Sequence, residues 1–176
     1  MKIIIALVSI LLLSTAAFSQ SRSRTTTKRG TTSSKTQKTS AEQAVAQVRA
    51  TGATRVADQV KTLTKFLYLL GGVAKGIEQV DEAARKNEAP PAAIEQNNRN
   101  KATVKTSLEN VRVGLDQLEI NFRSTPELQP YYTKLAGSAS GAATAEEQAA
   151  AGRFDQAGRT LLGVVNRLTD VLVAMR

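Results

Sequence analysis

Three stretches of this 176-residue chain carry apolar residues at alternating intervals of three and four. The first is Val56, Val60, Leu63, Leu67, Leu70, Ala74 and Ile77. The second is Val104, Leu108, Val111, Leu115, Leu118 and Phe122. The third is Phe154, Ala157, Leu161, Val164, Leu168, Val171 and Met175. An α-helix turns once every 3.6 residues, so this spacing places each set on one stripe of one helix. A strand, with its period of two, would scatter the same residues over both faces. The stripes therefore predict an all-α fold: an antiparallel bundle of three long helices. Alanine, the best helix former, makes up 23 of the 136 residues from 41 to 176 and supports the same reading.

The boundaries come from turn chemistry. Ser40 with Gln43 forms a capping box, and Thr39 with Glu42 repeats it one residue earlier, so the first helix is expected to open there and run to about Lys86. Gly52 is a possible break in its first turns. Pro90 and Pro91 impose a turn and then suit the first turn of a second helix, ending near Arg123. A short helix is expected from Thr125-Pro126-Glu127 to Gly137, with Pro130 dividing its first turn from the rest. Residues 137–143 (GSASGAA) read as a flexible loop. Thr144 with Glu147 is a further capping box, opening a last helix that continues to near the C-terminus. From Glu78 to Thr103 the only large apolar residues are Val80 and Ile94, so the hairpin tip between the first two helices has little to bury and is expected to open first.

The segments ahead of the bundle differ in kind. Residues 1–19 read as a secretory signal peptide: Lys2 is basic, and Ile3 to Leu13 is an apolar run too short to span a bilayer as a helix. Ala17 and Ser19 then suit the small-residue cleavage positions. Residues 20–40 hold twelve Ser or Thr and six basic residues, Arg22, Arg24, Lys28, Arg29, Lys35 and Lys38, with no acid and no apolar residue. Such a segment cannot offset the entropy of ordering it and is expected to be a disordered arm. The chain's net charge of +9 resides mostly there. Seven of the 24 basic residues precede residue 41, leaving 17 against all 15 acids, so the bundle domain of residues 41–176 is only +2. The six arm residues are candidates for contact with a polyanion or an anionic membrane surface through screened, salt-sensitive attraction. No aromatic is interleaved with them, so specific nucleic-acid recognition is not expected.

The chain has no His and no Cys, which excludes zinc fingers, disulfides and the usual imidazole or thiol catalysts. Glu78, Asp81 and Glu82 share a helical face, but Arg85 and Lys86 follow the last two by four residues, the spacing of surface ion pairs rather than a cation site. Glu146 and Glu147 are expected in the first turn of the last helix, where carboxylates complement the helix dipole. Gly72 and Gly76 invite the close approach of a neighbouring helix or a slight kink. Tyr68 and Leu69 widen the apolar stripe beyond one face and are candidate partner contacts. So is whichever of the consecutive Tyr131 and Tyr132 points outward. No catalytic, cofactor-binding or metal-binding residue is expected. The reading is an exported, non-enzymatic interaction module that binds another protein. Two alternatives are a holdase-type envelope chaperone and a surface binder acting through the arm.

Overall fold

The computed structural model describes residues 33–176, and the side chains from Ser40 onward. The expected secretory leader, residues 1–19, and residues 20–32 of the expected arm lie outside the described residues. Five helices follow one another: α1 (Ser33–Arg85), α2 (Pro91–Ser124), α3 (Gln129–Leu135), α4 (Ser138–Ala150) and α5 (Phe154–Ala174). Among the described residues there is no strand, and no helix is long and apolar enough to cross a membrane.

The fold is an all-α bundle, as the stripes predict. Every residue of the second stripe is buried, and Val60, Leu67 and Met175 are the only half-buried members of the other two. Around the core, α1 packs on α2 and α5, and α4 packs on the same two helices from the other side. The four form a closed ring in the order α1, α2, α4, α5, with the short α3 lying against α2 and α5. Neighbours in the ring run in opposite directions. Gly52 near the start of the packed part of α1 meets Met175 at the end of α5, whereas Phe154 at the start of α5 lies beside the level of Glu78 and Asp81.

The three expected long helices are α1, α2 and α5 and the expected short one is α3; the ring adds a further helix, α4, to them. The segment 137–143 is not a loop, because α4 already begins at Ser138. Its inward residues, Ser138, Ala142, Ala145 and Ala149, keep the four-three-four spacing but are small. They let α4 approach so closely that a Cβ on Gly141 would meet Val164 at 2.7 Å. Thr144 opens nothing: it sits inside α4, and its hydroxyl donates to the Ser140 carbonyl 3.1 Å away. The last helix is instead divided at Gly152, whose φ of +74° is left-handed. There the Gly152 and Arg153 amides bond to the Ala149 and Gln148 carbonyls, a Schellman turn that ends α4. Asn87, at φ +60°, ends α1 in the same way, with Glu88 N–H bonding to the Ala83 carbonyl.

Three smaller expectations change. The capping boxes at residues 39–43 lie within α1, which starts at Ser33, so residues 33–40 are helical rather than part of a disordered arm. A helix nucleated farther along the chain propagates backward at little cost through solvated polar residues. Gly52 does not break α1; its missing Cβ makes room for Leu128 and Met175. The short helix α3 begins at Gln129 rather than at Thr125: Pro130 occupies its first turn, where its lost N–H had no helical acceptor, and residues 126–128 form a separate turn ahead of it, the division expected at Pro130.

α1 is 53 residues long, about 80 Å at 1.5 Å per residue, against 13 for α4 and 21 for α5. It therefore overhangs the ring at both ends. From Ser40 to Thr51 no residue is buried, and from Glu78 to Thr103 only Asn97 is.

Candidate functional site

The overhang of α1 and α2 creates one cleft and leaves one face open. The cleft, of about 960 Å³, lies where the α4–α5 turn at Ala150–Gly152 meets the α1–α2 hairpin. Its walls carry Glu78, Asp81 and Glu146 alongside Arg85, Lys101 and Lys105. Three of these six, Asp81, Lys101 and Glu146, are in ion pairs. Asp81 Oδ1 accepts from Lys101 Nζ at 2.6 Å and from Asn97 Nδ2 at 2.7 Å. Glu146 Oε2 pairs with Arg112 Nε at 3.1 Å. The two signs neutralise each other within the cleft, which leaves no concentrated field to draw a charged ligand.

The expected carboxylate groups are taken apart by this packing. Asp81 turns toward α2, whereas Glu82 pairs with Lys86 at 2.8 Å as its spacing predicts. Arg85 donates to the Asp81 backbone carbonyl instead of its carboxylate. Glu146 lies well inside α4 and reaches across to α2, so it is not the first-turn carboxylate the sequence implied. The group that serves the start of α4 is Glu119 of α2, whose Oε1 accepts the Ala139 N–H at 2.8 Å. Its charge lies at the positive end of the α4 dipole. Only the folded arrangement brings this pair together, 20 residues apart in sequence. Among the described residues, no group of three His, Cys, Asp or Glu side chains is placed to hold a metal ion.

The proposed partner contacts separate into two kinds. Tyr131 and Tyr132 are both half-buried and both pack on the core, so neither is the outward tyrosine that the sequence implied. α3 lies against both α2 and α5, so two consecutive side chains can each pack on a neighbour. Tyr68 and Leu69 are the opposite: 84% and 62% exposed, they are the most exposed pair of large apolar neighbours among the described residues. The glycines beside them are bare as well. A Cβ placed on Gly71, Gly72 or Gly76 would meet nothing within 4 Å. Gly72 and Gly76 therefore do not receive a helix of this chain, contrary to the expected close approach. One turn of helix beyond this patch on either side stand Lys65 and Lys75, which form no ion pair among the described residues.

The basic arm contributes little that can be placed. Arg22, Arg24, Lys28 and Arg29 lie outside the described residues, and Lys35 and Lys38 belong to the N-terminal overhang of α1. Isolated apolar residues elsewhere, such as Val113 and Ile120 on α2, are half-exposed singly, as on any protein surface. No protein-family model matches the chain, and neither a curated protein nor a solved structure matches it.

Proposed function

We propose that this chain is an exported, non-catalytic interaction module whose contact surface is the outward face of α1 around Tyr68 and Leu69. One observation carries this reading: two large apolar side chains stand in solvent beside three glycines with open space around them. An exposed tyrosine and leucine lose apolar hydration when covered, and bare glycines let a partner backbone come close. The matched charges of the cleft support a structural rather than a catalytic role for its acids. The leader-like composition of residues 1–19 supports a site of action outside the cytoplasm.

The test is capture of partners by the immobilised chain at low and high salt, with the double variant Tyr68→Ser/Leu69→Ser beside the wild type. Salt-resistant capture that the double variant loses supports the reading. Capture that ignores both substitutions but disappears when residues 20–32 are deleted moves the function to the basic arm and ends the proposal.

A further inference from the structure

We propose that the partner on this face is a second copy of the same chain, paired antiparallel along α1 about a two-fold axis at Gly71–Gly72. The inference rests on the reading of Tyr68 and Leu69 as a contact surface and names what covers it. Its basis is the charge pattern of the heptad line Lys61, Tyr68, Lys75 and Glu82, all exposed on one flank of α1. When two helices pair antiparallel about residues 71 and 72, residue i of one lies level with residue 143 minus i of the other. Lys61 then meets the second copy's Glu82, and Tyr68 meets the second copy's Lys75. The two-fold axis repeats each contact. The line is thus complementary to its own reverse, with two ion pairs and two ammonium groups beside aromatic rings.

The same line disfavours the alternatives. A slide of one heptad in one direction sets Lys61 opposite the second copy's Lys75. A slide in the other direction sets Lys75 opposite itself. A parallel pairing also places each lysine beside its own copy. Like charges so placed oppose association, so the pattern selects one register. In that register Gly71 of each copy lies level with the second copy's Gly72, where the absence of a Cβ allows the two backbones to pack closely, and Leu69 falls level with Ala74, between the levels of Gly72 and Gly76. The Lys61–Asp58 and Glu82–Lys86 pairs of the single chain are both highly exposed, so exchanging them across an interface gives up little.

Sedimentation equilibrium of the full chain, expressed from its own first methionine, tests this. The expected result is reversible association to twice the chain mass. Lys61→Glu should weaken it by roughly tenfold or more, because two like-charge contacts replace two ion pairs. Adding Glu82→Lys to that variant should restore it. Residues 61 and 82 are about 32 Å apart along one helix, so the restoration cannot arise within a single chain. Gly72→Gln is the second variant. It has open space in the single chain, so the fold is retained while association falls. A chain that remains single at high concentration, or a dimer that ignores the charge exchange, overturns the proposal. If the chain is single yet Tyr68→Ser/Leu69→Ser still abolishes salt-resistant capture of another protein, the contact surface stands and only this partner falls.

Discussion

Asn97 Nδ2 donates to Asp81 Oδ1 across 2.7 Å, joining α2 to α1 at the last buried position before the hairpin loop. Asn97 stands one heptad before Val104 and two before Val111, so it occupies a core position with a polar side chain. Lys101 completes the cluster from the same side of α2. A buried amide in an apolar seam fixes which residues face one another, because any slip leaves it without its partner. Asn97 Oδ1 already lacks a protein partner, so this fixing costs some stability.

Replacing the acceptor and replacing the amide therefore have different effects. Asp81→Ala leaves the Asn97 amide only its long bond to the Ile77 carbonyl, at 3.5 Å, and is expected to destabilise the fold by about 1–3 kcal/mol. Asn97→Leu removes the orphaned oxygen together with the donor and fills an apolar seam, so its stability equals or exceeds that of the wild type. Urea denaturation of the two variants checks the order. An Asn97→Leu chain less stable than Asp81→Ala contradicts it.

The tip beyond this cluster is expected to open before the rest of the fold. Residues 81–103 bury one side chain, whereas α5 buries six. Amide hydrogen exchange should accordingly be faster at 81–103 than at 154–172. Equal protection in the two segments would show that the hairpin is held by something other than its own packing.

Two glycines, one in the turn between α4 and α5 and one within α5, give opposite results on substitution by alanine. Gly152 has room around it but a left-handed φ, so Gly152→Ala is expected to cost about 1 kcal/mol. Gly163 has equal room within the regular helix α5, so Gly163→Ala gains up to about 1 kcal/mol. Thermal melting of both variants measures the two signs.

Glu119 provides a fourth test, because its carboxylate serves a helix other than its own. Glu119→Ala leaves the Ala139 N–H at the start of α4 without its acceptor and is expected to cost about 0.5–2 kcal/mol. Glu119→Gln keeps an acceptor at the same place and should lose less. Equal losses for the two would mean that the hydrogen bond contributes nothing.

These residues also show where sequence reading succeeds and where it stops. α1, α2 and α5 were legible because large side chains at heptad spacing leave little choice of period. α4 obeys the same period with alanine and serine, whose small apolar surface does not stand out from an alanine-rich background. Its start was concealed by Gly141 and three flanking small residues that resemble a loop, although Gly141 is there for the close approach of Val164. Capping boxes misled at residues 39–43 and at Thr144, since a Ser or Thr hydroxyl can equally donate back to a carbonyl four residues earlier, as Thr144 does. The exposed pair Tyr68 and Leu69 was visible in the sequence as a stripe wider than one core requires. The pairing of Glu119 with α4 was not, because nothing local links two groups that only the closed ring brings together.

The unburied beginning of α1 has a mechanical meaning. Between Ser33 and Gly52, the first buried residue among the described side chains, lie nineteen helical steps, or about 28 Å. A flexible tether of that many residues would let its two ends wander independently. A continuous helix behaves as a strut: it keeps its ends a set distance apart and transmits rotation, so turning the bundle about the α1 axis turns Ser33 by the same angle.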